Sequence, residues 1–306
     1  MSEVASQVAA EVPASRVETP FQRFRSEFFE SKIATAALIL LVTIVTLALL
    51  APIITPQNPY DLGQVDVLDA RLAPGEKAFA GYTMWLGSDG AGRDLYSAIL
   101  YGLRISLSVG VTAGLIALVI GMAIGLLAAY IGGRTENIIM RIVDLQLSFP
   151  AALVALMLVA MLGKGIDKIV LALVVAQWAY YARTVRGTAL VERRKEYVEA
   201  AQCLGLSNAR IVFRHILPNC LAPLIVVGTV QTASAISLEA TLSFLGVGLP
   251  QTEPSLGVLI ANGFEYMLSG RYWISVFPGL ALLFTVVSIN LVGDQLRDVL
   301  NPRLKK

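Results

Sequence analysis

Six apolar runs constrain this chain more than anything else in it: residues 33–54, 106–131, 138–162, 168–191, 219–245 and 273–292. Each is near or above the ~20 residues that carry a helix across the ~30 Å hydrocarbon core of a bilayer. In lipid a backbone must satisfy its own hydrogen bonds, and isolated runs of this kind do so as helices. The pattern predicts an all-α, polytopic membrane protein with six transmembrane helices. Charge agrees. Only 15% of the 306 residues are Asp, Glu, Lys or Arg and 56% are hydrophobic, where soluble domains carry about 25% charged residues. The first run is too long and too far from the chain start for a cleaved signal, so it reads as an uncleaved anchor.

The runs divide the chain into an N-terminal tail (1–32), a first transmembrane helix (33–55), an extracytoplasmic segment with an interfacial helix (56–104), a five-helix core (105–296) holding a polar loop (192–217), and a C-terminal tail (297–306). In the first tail Phe21, Phe24, Phe28 and Phe29 recur at helical spacing beside Arg23, Arg25 and Lys32. That suits a short helix on the membrane surface as well as it suits a flexible tail. Pro56, Pro59, Gly63, Pro74, Gly75 and Gly81 punctuate the segment that follows the first run. Its glycine-rich stretch, 87–92, fits neither the phosphate loop nor the dinucleotide fingerprint. It reads as a turn feeding a helix capped by Asp94, with 95–103 lying along the interface.

Within the core, Gly110, Gly114, Gly121 and Gly125 fall on one helix face and predict a close helix–helix approach. Asp144 stands near the start of the third run with Arg141 as a candidate partner, and Pro150 predicts a kink. The fifth run is the most polar, with Thr229, Gln231, Thr232, Ser234, Ser237 and Glu239 facing water or other helices. Trp273 suits an interface anchor. No structural disulfide is expected of Cys203 and Cys220, and the single histidine, His215, has no ligand cluster, so no metal site is expected.

With six spans, both tails and the polar loop share one side. That side carries about 17 of the 24 lysines and arginines, including Arg193, Arg194, Lys195, Arg210 and Arg214. The positive-inside rule then places the tails and the loop in the cytoplasm.

The loop reads EYVEAAQCLGLSNARIVFRHILP from Glu196 to Pro218. As a helix its start puts Tyr197, Ala200, Ala201 and Leu204 on a common face, and Ala200 and Ala201 admit close contact. Glu196 and Glu199 favour the helix dipole, and Gly205 can end the helix with positive φ. Ser207 can cap a second short helix through Arg214, and Pro218 suits the start of the next span. The result is a rigid element that transmits a push from a soluble partner, or an ordinary amphipathic connector. Physics alone leaves both open.

Glu199-Ala200-Ala201, Gly205 and Ile216-Leu217-Pro218 resemble the EAA loop of type I ABC importer permeases. Trp85-Leu86-Gly87-Ser88-Asp89 with Gly92-Arg93-Asp94 resembles the segment before the second span in the dipeptide/oligopeptide/nickel permease family. Leu242-Ser243-Phe244-Leu245-Gly246, and Phe277-Pro278-Gly279 with Asn290, Gly293-Asp294 and Pro302-Arg303, are similar to that family's later signatures. The likeness runs from about residue 30 onwards and is greatest to the C-type subunit. It implies the type I ABC importer permease fold and a heterodimer with a second homologous permease subunit. It also implies two cytoplasmic ATPase subunits that bind ATP and Mg and an extracytoplasmic substrate-binding protein. Nucleic acid is no part of this scheme. By position Glu199, Ala200, Ala201, Gly205 and Leu206 would couple to the ATPase subunits, and Gln231, Ser234 and Ser237 would line the translocation path. The chain has no GxxxxGK[ST] phosphate loop of its own, so ATP chemistry falls to other chains and this chain is not itself an enzyme. The implied cargo is short peptides, with nickel chelates or other small solutes as alternatives. A secondary transporter would need an inverted repeat, and none is visible. A membrane enzyme would need a catalytic constellation and a channel a filter-like segment, and the sequence offers neither.

Overall fold

The structure, a computed structural model, describes residues 19–253 and 255–300. Residues 1–18 of the first tail and 301–306 of the second, with Pro302 and Arg303, lie outside the described residues. The first helix, α1 (Pro20–Glu30), opens with a capping box: the Thr19 hydroxyl accepts from Gln22 N and the Gln22 side chain accepts from Thr19 N. Its Phe28 stacks on Phe24 at 6.2 Å and is buried with Ala34, Ala37 and Val292. The aromatic spacing of the tail is therefore a helix docked on two others. Ser31 caps the first long helix, α2 (Lys32–Ile54).

Between α2 and the next helix the chain folds on itself through polar groups. The Ser88 hydroxyl donates to Asp69 O and accepts from Leu72 N at 2.7 Å. Asp89 is buried and accepts from Ala91 N and Arg93 N, each at 2.9 Å. Burial pushes its carboxyl up from the usual range, opposed by the Arg93 guanidinium. Arg93 reaches Gln251 O at 3.1 Å and ties this segment to the one after the fifth run. Gly92 has φ +88°, and a Cβ there would lie 2.1 Å from Asp66 O. The glycine-rich stretch is thus a packed turn.

Asp94 caps α3 (Leu95–Ile131): its carboxylate accepts from Ser97 N at 2.9 Å and from the Ser97 hydroxyl at 2.5 Å. The 37 residues of α3 run unbroken, about 55 Å at 1.5 Å per residue. The expected interfacial helix at 95–103 is therefore continuous with the helix of the second run, not a separate element. Asp94→Ala should cost about 1–2 kcal/mol, read as a melting temperature lowered by a few degrees in detergent.

The glycine face of α3 meets two partners. A Cβ on Gly110 would meet Ile236 Cγ1 at 2.4 Å, while one on Gly121 would meet Trp178 O at 2.4 Å. The first pair of glycines admits α9 (Leu217–Phe244) and the second pair admits α6 (Ile166–Arg193). These three helices form the core around Val109, Ala113, Ala117, Tyr181, Val185 and Ala235.

The third run is broken, not kinked. Helices α4 (Gly133–Ser148) and α5 (Ala151–Leu162) meet at 88°. Phe149 is extended, φ −93° and ψ 139°, because a residue before proline is pushed out of the helical region. Asp144 pairs with Arg183 of α6, not with Arg141, and Glu136 pairs with Arg186 at 2.5 Å. Among the described residues, four helices are long and apolar enough to cross a membrane: α2, α3, the continuous helix Asn208–Phe244, and α11 (Trp273–Leu300). Counting the bent pair as one span gives five. The expected sixth, α6, has the length but carries Arg183, Arg186, Glu192 and Arg193 in its second half, and it runs through the centre of the bundle. The six spans expected from sequence, the third of them kinked, become four apolar helices, a broken pair and a polar central helix. A shorter helix, α10 (Leu256–Phe264), packs its Gly257 on the Ala240 carbonyl.

Candidate coupling site

Arg194 and Lys195 alone join α6 to the helix of the polar loop, α7 (Glu196–Cys203). Glu196 and Glu199 lie in its first turn, where the dipole favours them. Val198 and Ala201 are buried against the core, while Glu199, Ala200 and Leu204 are exposed, Leu204 at 78%. The common face expected for Tyr197, Ala200, Ala201 and Leu204 is therefore split. Ala201 is an anchor pointing inward, and Ala200 and Leu204 belong to the exposed surface. The spacing could not separate them, since a short helix with small residues looks apolar on several sides.

Gly205 ends α7 with φ +71°. Its N–H donates to Gln202 O at 2.9 Å and that of Leu206 to Ala201 O at 3.2 Å, which together make a Schellman cap. Leu206 packs back on the core. Ser207 starts α8 (Asn208–Ile211) without a side-chain bond. The expected second helix does not stop at Arg214. It passes through a π-helical turn, Val212–Ile216, straight into α9. Pro218 has no N–H for the Arg214 carbonyl, and in a regular α-helix its ring would clash with that carbonyl; the π turn lies directly before it.

At the root of α7 several polar groups converge. Glu192, at the end of α6, is buried, and it accepts from Lys195 Nζ at 2.6 Å and from the Tyr197 hydroxyl at 2.5 Å. Asn219, on α9, donates from Nδ2 to His215 O at 2.8 Å and to the Tyr197 oxygen at 3.2 Å. Burial and the bond to Glu192 push the Tyr197 phenol up to about 12, so it stays a neutral donor. Sequence reasoning had not singled out Glu192 and Asn219. Their one signal is position: each is the polar residue where an apolar run meets the loop.

The expected path residues do not converge. Gln231 is turned into the bundle, only 8% exposed, and its backbone carbonyl accepts from Gln177 Nε2 of α6 at 3.1 Å. Ser234 and Ser237 are half-buried and continue along α9 to exposed Thr241, on a side of the helix that this chain leaves partly open. Glu239 is fully buried and accepts from the Ser106 and Ser243 hydroxyls, each at 2.8 Å. Part of the polarity of the fifth span is thus spent inside the chain.

Residues 121–306 match the family described as binding-protein-dependent transport system inner membrane component. Residues 19–74 match the N-terminal TM domain of oligopeptide transport permease C. The chain is similar to the dipeptide transport system permease protein DppC of Escherichia coli, with 40% identity over 300 residues covering 98% of this chain and 97% of that protein. It is also similar to the oligopeptide transport system permease protein OppC of Bacillus subtilis, with 36% identity covering 93% of this chain and 88% of that one. In fold it resembles a chain of the inward-facing MetNI methionine ABC transporter, with a TM-score of 0.54 at 20% identity, over 67% of this chain and 96% of the other.

Proposed function

Since the chain belongs to the family of binding-protein-dependent transport system inner membrane components, we propose that it is a permease subunit of an ATP-driven importer of short peptides. The observation that carries this is α7, a short capped helix anchored in the core by Val198 and Ala201 and presenting Glu199, Ala200 and Leu204 outward. It has the form of a lever with a free face. In this role two ATPase subunits seat that face, bind ATP and Mg, and hydrolyse it. A second, homologous permease subunit pairs with this one, and a binding protein delivers cargo from outside. The positive-inside count supports α7 and both tails in the cytoplasm. The partly open side of α9 with Ser234 and Ser237 supports a path between the two permease subunits.

The peptide cargo rests on what the relatives are named for, dipeptides and oligopeptides. Cells lacking this chain should lose uptake of a labelled dipeptide or oligopeptide and regain it when the chain is restored. Unchanged peptide uptake with lost nickel uptake would transfer the cargo to nickel chelates.

A further inference from the structure

We propose that the Tyr197 hydroxyl is a positioning group for coupling, the middle link of a hydrogen-bonded relay that locks α7 to the ends of both α6 and α9. The proposal rests on the importer role argued above and adds to it the device that makes the lever stiff.

Proton counting fixes the direction of the relay. A phenol has one proton to give. Its oxygen lies 2.5 Å from Glu192 Oε2 and 3.4 Å from His215 O, so the proton goes to the carboxylate, the stronger and closer acceptor. The phenol oxygen then accepts from Asn219 Nδ2 at 3.2 Å, and the second Nδ2 proton serves His215 O at 2.8 Å. The relay runs from the Asn219 donor on α9, through Tyr197 on α7, to the Glu192 acceptor on α6.

The neighbouring structure shows why a relay is needed. On the α6 side α7 is held covalently, through Arg194 and Lys195 only. On the α9 side the backbone goes the long way, through the Gly205 turn, α8 and the π-helical turn. The π turn is the point on that route where the α-helical hydrogen-bond pattern is interrupted. Asn219 and Tyr197 bridge directly across it, and His215 O, inside the turn, takes the Asn219 bond. A displacement of α7 therefore reaches α9 through the relay instead of being absorbed in the turn. The Tyr197 ring also stands 6.5 Å from the His215 ring, tilted by 40°.

The test uses the complete transporter with its ATPase subunits, reconstituted in vesicles with binding protein and a dipeptide. Wild type must first show ATP turnover stimulated by the loaded binding protein. Its absence would sink the importer role itself, before any variant is read. Given that activity, Tyr197→Phe removes only the hydroxyl. Peptide imported per ATP hydrolysed should fall about tenfold, the scale of one hydrogen bond to a charged group, with assembly and basal ATP turnover unchanged. Asn219→Ala should do the same from the α9 side. Glu192→Gln keeps an acceptor and should retain most of the ratio, and Glu192→Ala should match Tyr197→Phe. The double variant Tyr197→Phe, Glu192→Ala should be no worse than either single one. A wild-type ratio in Tyr197→Phe would overturn the relay. So would loss of assembly in that variant, which would assign the hydroxyl to docking.

Discussion

Gly121→Leu should insert into the membrane but fail to pack. A Cβ at this position would lie 2.4 Å from Trp178 O, 2.6 Å from Tyr181 Cβ and 2.9 Å from Ala182 N. Two of those neighbours are backbone atoms of α6, which no rotamer change moves aside. The helices must separate, and separation breaks the contact at Gly125 as well, where Ala182 O sits 2.5 Å from a Cβ position. In lipid this loss is not offset by a hydrophobic effect, because close packing is itself the main attraction between helices. Overpacking a core costs about 1–3 kcal/mol, and the upper end applies where backbone is the obstacle. The melting temperature in detergent should fall by about 5–10 °C, and uptake should be lost. Gly187 on α6 has nothing within 4 Å of a Cβ, so Gly187→Ala is the control and should melt like wild type. Equal melting of Gly121→Leu and wild type would mean that α3 and α6 do not meet as described.

Gly205→Val should separate coupling from folding. The residue has φ +71° and no atom within 4 Å of a Cβ position, so valine meets strain and not a clash. An L-residue at this φ costs about 1–2 kcal/mol, and a β-branched one more. The Schellman bonds from Gly205 N and Leu206 N are then lost or displaced, and with them the angle at which α7 leaves the core. Insertion should be intact and the melting temperature should fall by only a few degrees. Uptake should fall at least about tenfold, the factor that ~1.4 kcal/mol represents. Gly205→Asn, which tolerates positive φ, should keep most of the uptake. Normal transport by Gly205→Val would remove Gly205 from the coupling role.

The fold class was legible because the apolar runs are long and lipid leaves a backbone few choices. The glycine face, the Asp94 cap and the positive φ of Gly205 were legible because each rests on local chemistry. What failed was whatever depended on a second element. Asp144 finds Arg183 across to α6 and not Arg141 beside it, because α4 packs Val143 on Ala179 and Ala182 of α6. Gln231 stands out in sequence by the polarity of its side chain, and only the packing of α9 shows it turned into the bundle. Ala200 and Ala201 look alike in sequence, and only the placement of α7 tells the buried one from the exposed one. Glu192 and Asn219 carry no pattern of their own and become a site only through Tyr197.

The most direct measurement is to extract this chain from its native membrane in mild detergent and identify what remains bound. A homologous second permease subunit together with two ATPase subunits, and ATP turnover that rises with peptide-loaded binding protein, is the predicted result. Recovery of the chain alone or as a homo-oligomer that moves its cargo without ATP would contradict it and make the protein a secondary transporter.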